Sequence, residues 1–392
     1  MDDYARLRAA IADRPRPLAL VDLDRFDTNA AALERRADGM PIRVASKSVR
    51  CVALLRRVLA RPGWHGVLAF SAAEAAHLCA QGFDDVLVAY PCVERAPLRA
   101  LVHHTCDGAG PILMIDDAAH VKLAAEVARE HGVTFELAID LDVALDLPGL
   151  YFGVRRSPIR DVDAARRLGE LILREEGVSL VAAMGYEAQI AGLPDATGAA
   201  SDLAIRALKR ASFVDVARRR GAIVHALREQ GHPIRIVNGG GTGSLEVTRH
   251  DASVSELAAG SGLFGPTSFD AFASFRPEPA AAFALGVTRI PKPGLATCFG
   301  GGYVASGPAG DAKLPRPWLP EGLTLLPHEG AGEVQTPLRV PRDVSLRVGD
   351  PVFFRHAKAG ELCERFTTLL LISGDRVVDE VPTYRGEGAC FG

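Results

Sequence analysis

Lys47 ends the short apolar run PIRVASK and is followed by the helix-forming stretch VRCVALLRRVLA. A buried strand that ends in lysine and gives way to a helix delivers an amine to the mouth of an α/β fold, where such folds keep their chemistry. Lys47 is thus a candidate for imine formation with a carbonyl ligand, the alternative being an ordinary surface lysine at a strand end. Far along the chain, IVNGGGTGS (236–244) runs an apolar strand into three glycines and Thr242. With no side chains in the way, backbone N–H groups there can converge on an anion, and the Thr hydroxyl adds a donor. A second Gly/Ser turn, GSGLFG (260–265), follows the next apolar run. A Rossmann dinucleotide site is rejected, because GGGTGS lies late and no acidic residue closes a further strand about 20 residues on.

The elements that would position these groups alternate along the chain. LALVDL (18–23), IRVAS (42–46), GVLAFS (66–71), DVLVAYP (85–91), ILMID (112–116), ELAIDLD (136–142), LVAAMGY (180–186), IRIVNGG (234–240) and ELAAGSG (256–262) are short apolar runs, most of them followed by amphipathic stretches. Such βα repetition predicts parallel strands with crossover helices, and its number suggests a (β/α)8 TIM-like barrel. After residue 275 prolines accumulate and runs such as FALGVTRI, PVFFRH, TTLLLI and RVVDEV predict an antiparallel β domain. The expected division is a barrel over 18–275 and a β domain built from 1–17 and 276–392. The loops after the last two strands of a barrel are its usual phosphate site, which selects Gly240, Gly241, Thr242, Ser261 and Gly262. An early lysine and late phosphate loops on one barrel suit pyridoxal phosphate, an aldehyde that carries a phosphate.

Composition narrows the partners. At 392 residues with 48% hydrophobic and 24% charged residues, the chain can bury one large core and a second smaller one. A net charge of −3 gives no basic footprint for nucleic acid or anionic lipid. No apolar run reaches membrane-span length and the N-terminal stretch has no secretion-signal core, so a cytoplasmic protein is expected. The seven cysteines are scattered, without a CxxC pair, which argues for reduced thiols rather than disulfides or a zinc ribbon.

Five segments carry a resemblance: PLALVDLDRF, RVASK, AMGYEAQ, VNGGGTGS and GDPVFFRHAKAGELCERF. Together the chain resembles the fold-type III pyridoxal-phosphate enzymes, with a barrel similar to the alanine racemase N-terminal domain, and within them the D-threonine aldolase and D-serine dehydratase group. The resemblance implies that Lys47 holds the cofactor and acts as a base at Cα, and that the two glycine turns bind its phosphate. Arg43 and Arg155 become cationic candidates near the ring or the substrate carboxylate, and Tyr186 a residue packed near the cofactor. Each also has an ordinary reading, as a salt-bridged arginine or a core aromatic.

Members of that group carry a His and a Cys or Asp two residues apart on the β domain, binding a divalent metal. His356 matches the histidine, but Cys363 lies seven residues on, so the spacing is broken. An inserted loop could return Cys363 to His356 and Glu361 could add an oxygen, a set suited to zinc or manganese. The alternative is a barrel-facing histidine and a buried thiol. Gln189 stands where relatives tend to have His, and an amide cannot act as a general base. The resemblance implies a homodimer and a lyase on D-3-hydroxy amino acids, by metal-assisted retro-aldol cleavage or by dehydration. A racemase would need a second acid/base, for which the β domain offers Tyr303 and Tyr384; a non-catalytic cofactor carrier is the reading from another class.

Overall fold

The computed structural model describes residues 2–105 and 110–391; Cys106 lies outside them. Eight parallel strands follow one another around a barrel: Ile42–Ala45, Trp64–Ala69, Val86–Val88, Leu113–Ile115, Phe135–Asp140, Val178–Gly185, Ile236–Gly239 and Glu256–Ala259. The last pairs with the first through Leu257 opposite Ile42 and Ala259 opposite Val44. A single parallel bridge, Leu87 to Ile112, joins the third strand to the fourth and closes the ring. Along Ile42–Ala45 the period of two sends Ile42 and Val44 outward to the helices. Ala45 turns inward among Leu68, Ala138, Ala182 and Ala258. Small inward residues at this level leave room for a ligand.

The first of the nine apolar runs is not a barrel strand. Leu18–Asp22 pairs antiparallel with Ala281–Lys292 and parallel with Thr368–Ser373, inside a nine-stranded sheet formed otherwise by residues after 280. All five of its residues are buried. A strand covered on both faces reads the same whether a barrel or a second sheet covers it, so periodicity could not separate the two. Leu18 and Leu20 pack with Leu7, Ile11, Phe353 and Leu370, which ties the N-terminal helix Asp3–Ala10 to the same sheet. The next helix, Leu23–Ala37, starts where the Asp22 side chain caps Arg25 N–H, and returns the chain to the barrel wall.

The floor of the barrel is ionic. Arg43 is completely buried and its guanidinium bonds Glu256 at 2.6 and 2.9 Å and Asp85 at 2.7 Å. His65 lies 3.3 Å from Asp85 and 3.2 Å from Glu256. Burial would raise both carboxyls, but His65 and Arg43 outweigh it and hold each at about 2. The same carboxylates lift His65 to about 9. These carboxylates therefore contribute stability above the ordinary carboxylate range that is lost as pH falls toward 2, while the contribution of His65 is full below its ordinary pKa and is lost as pH rises through 9. Replacing Arg43 with Met would strand a buried Glu256. The expected loss is about 3–5 kcal/mol in urea unfolding at neutral pH, shrinking as the pH is lowered and Glu256 takes up a proton.

Candidate active site

The C-terminal ends of the barrel strands open into one cavity. Lys47 reaches it from the single helical turn Ser46–Ser48 that follows the first strand, and its Nζ donates to Tyr90 Oη at 2.8 Å. Tyr90 is in turn the residue just past the third strand. Burial works against its ionisation, yet the adjacent Lys47 ammonium holds its pKa below the ordinary phenol value. Across the cavity stand Asp140, Arg156, Tyr186 and Asn238. Asp140 ends the fifth strand, and burial, reinforced by Asp116, pushes its carboxyl up to about 7. Its charged form is disfavoured in the native protein, so stability falls as pH rises from the ordinary carboxylate range through about 7.

The two glycine turns are one structure. Thr242 Oγ1 accepts from Gly262 N–H at 3.2 Å and lies 3.2 Å from Ser261 Oγ. Gly240 N–H donates to Glu187 at 2.6 Å, and Gly241 N–H to Ser244 Oγ at 3.1 Å. Those two amides are therefore already engaged, while the Thr242 and Ser261 hydroxyls stand on the cavity wall. At Gly241 any Cβ would come within 3.0 Å of the Tyr186 ring, so the residue must be glycine for the loop to lie against it. Glu187 also bonds the fully buried Arg220, whose other partners are Asp251 at 3.1 Å and the Gly185 carbonyl at 3.1 Å.

The β domain completes the wall behind Lys47. Gly360 packs on the Lys47 carbonyl so closely that an added Cβ would lie 1.9 Å from its oxygen. Arg50 pairs with Glu364, and Cys363 Sγ donates to the Val49 carbonyl at 3.2 Å. The lysine turn is thus gripped from below by the C-terminal half of the chain.

Among the residues singled out from sequence, Lys47, Tyr186, Gly240, Gly241, Thr242 and Ser261 line the cavity. Gly262 lies just behind it, bonded to Thr242. Arg43 does not line it, and touches it only through Glu256, which accepts from Asn238 Nδ2 at 2.8 Å. Arg155 is displaced by one position: it stacks on Tyr151, 3.7 Å from the ring centre, while its neighbour Arg156 faces the cavity. Gln189 is buried and donates to the Val143 carbonyl and Ser212 Oγ, a structural post rather than a cavity group. Tyr303 packs against Phe283 and Phe366, and Tyr384 is buried beside His77 and Phe391; neither lines the cavity.

The proposed metal pair does not converge. Cys363 is completely buried on the Val49 carbonyl, and burial pushes its thiol well above the ordinary range, away from the thiolate a metal binds. His356 Nδ1 donates to the Lys358 carbonyl at 2.6 Å. Among the described residues no group of three or more His, Cys, Asp or Glu side chains could hold a metal ion. His356 and Cys363 therefore do not fit a divalent metal as a pair.

The family model described as alanine racemase, N-terminal domain, matches residues 21–268. The chain belongs to this family. It is 30% identical over 258 residues to the D-threo-3-hydroxyaspartate dehydratase of Delftia sp. (strain HT23), covering 63% of this chain and 60% of that protein. To the D-threonine aldolase of Arthrobacter sp it is 24% identical over 250 residues, again 63% of the chain and 60% of the relative. The match thus spans about three fifths of each relative's length. The crystal structure of D-threonine aldolase from Filomicrobium marinum superposes with a TM-score of 0.82 at 20% identity, covering 97% of both chains. Structures of the Delftia dehydratase, with TM-scores of 0.74 to 0.75, include an alanine variant at a histidine and another at a cysteine two residues further on, the second in a metal-free form. The likeness over nearly the whole length means that the barrel and the β domain are both shared parts of the fold.

Glu187→Gln keeps an acceptor for Gly240 but removes the charge facing Arg220. The expected result is a loss of about 3 kcal/mol in urea unfolding, with faster amide exchange over 236–248 than over the remaining barrel strands.

Proposed function

We propose that this protein is a pyridoxal-phosphate-dependent lyase acting on D-3-hydroxy amino acids, cleaving Cα–Cβ to give glycine, or another D-amino acid, and an aldehyde. The observation that carries the reading is that Lys47 and the joined Thr242–Ser261 turn line one cavity at the mouth of the barrel. Bound pyridoxal phosphate supplies an aldehyde for the lysine and a ring that accepts electrons from Cα. Lys47 holds the cofactor, and Thr242 and Ser261 offer hydroxyl donors to its phosphate. Tyr186, flat against Gly241, forms a wall for the ring.

The remaining cavity groups suit the substrate. Arg156 is the guanidinium on the wall, beside the Tyr90 and Tyr186 rings, and would meet a substrate carboxylate. Asp140, with a pKa of about 7, is matched to proton transfer at neutral pH, and its carboxylate would take the proton of the β-hydroxyl. It supplies the base that Gln189 cannot. Retro-aldol cleavage asks only for that proton, whereas dehydration asks for the expulsion of hydroxide. Dehydration is the second reading, favoured by the 30% identity to the Delftia dehydratase. In that case Lys47 would take the α-proton and protonated Asp140 would give its proton to the departing hydroxyl.

Product analysis with D-threonine tests the two. Glycine and acetaldehyde are expected, with kcat rising as pH increases through about 7, the range in which Asp140 ionises. Appearance of 2-oxobutyrate and ammonia, with a rate that falls over the same range, would replace cleavage by dehydration. Asp140→Asn should lower kcat about 10²–10⁴-fold while the visible absorbance of the lysine-bound cofactor persists; Lys47→Ala should lose both.

A further inference from the structure

The segment that resembles the metal-binding stretch of the relatives reads His356, Ala357, Lys358. In the Delftia dehydratase a cysteine stands two residues after the histidine, and its alanine variant is metal-free. Here the corresponding position carries an ammonium, which has no lone pair for a metal.

We propose that the β-domain wall beside Lys47 holds no metal in this chain, because the ligand position two residues after His356 is taken by the Lys358 ammonium. The groups nearby do not assemble a ligand set around the remaining His356 nitrogen. The Glu361 carboxylate accepts from Ser306 N–H at 2.8 Å and Ser306 Oγ at 2.5 Å. Lys358 Nζ donates to the same Ser306 Oγ at 2.6 Å and lies 3.5 Å from Glu361. His356 Nδ1 is bonded to the Lys358 backbone and the Cys363 thiol to the Val49 carbonyl. The ammonium is therefore fixed by Ser306 and Glu361 rather than swinging free, yet 42% of its side chain stays exposed to meet a ligand. Its position is also set: Gly360, two residues on, is pressed against the Lys47 carbonyl. The absence of a metal here does not depend on the lyase reading.

The test uses the full-length, cofactor-loaded protein, incubated with manganese or zinc, desalted and analysed by inductively coupled plasma mass spectrometry. Far less than one metal per chain is expected, with turnover unchanged by EDTA. Lys358→Cys recreates the relative's spacing and should retain about one zinc per chain. Wild-type protein that keeps a stoichiometric metal and loses turnover to EDTA would overturn the proposal, as would a folded Lys358→Cys variant that retains no more zinc than wild type. Failure of the lyase reading would show separately, as wild-type protein without lysine-bound cofactor absorbance, whatever its metal content.

Discussion

Arg220 is the side chain on which the anion-facing end of the barrel rests. It is completely buried and is compensated by Glu187, Asp251 and the Gly185 carbonyl. A guanidinium stripped of water is tolerated only where its donors are met by charge, so this one fixes the end of the sixth strand, the loop after the seventh and the helix Ser201–Glu229 to each other. Glu187 then spends its second oxygen on Gly240 N–H. The position of the glycine turn, and through Thr242 that of the Ser261 turn, follows from an ion pair that itself never meets the ligand.

Arg43 plays a comparable part at the other level of the barrel, between Asp85 and Glu256. Both arginines sit among pairs of carboxylates, but they solve different problems. Arg220 organises a loop, whereas Arg43 fills the interior beneath alanines that would otherwise leave a void. Asn238 links the floor to the cavity, so the ionic layer sets the polarity of the site without entering it.

Much of this was legible in the residues. Lys47 and the two glycine turns carry their chemistry in local sequence, because a strand end and a side-chain-free loop are short-range features. Tyr90 and Asp140 were equally near the surface of the text: each closes an apolar run, YP after DVLVA and D after ELAI, at the strand ends where barrels place function. Arg156 rather than Arg155 depended on which of two adjacent guanidinium groups turns inward, and only the packing of Tyr151 decides that. Leu18–Asp22 was assigned to the barrel because its order in the chain suggested it, and its true neighbour, Thr368–Ser373, is too distant in sequence for any periodicity to reveal. The separation of His356 from Cys363 was likewise a matter of tertiary hydrogen bonds, which spacing alone cannot express.

The sheet that contains Leu18–Asp22 has a bearing on how the protein is made. That strand emerges from the ribosome before any barrel strand, yet its parallel partner follows all of them. At ordinary translation rates the interval is on the order of tens of seconds. Gly360 and Cys363, which brace the Lys47 turn, arrive equally late. A nascent chain whose barrel strands are all made thus still lacks the contacts of Gly360 and Cys363 with the Lys47 turn, so the amine is braced only once the β domain has joined the barrel.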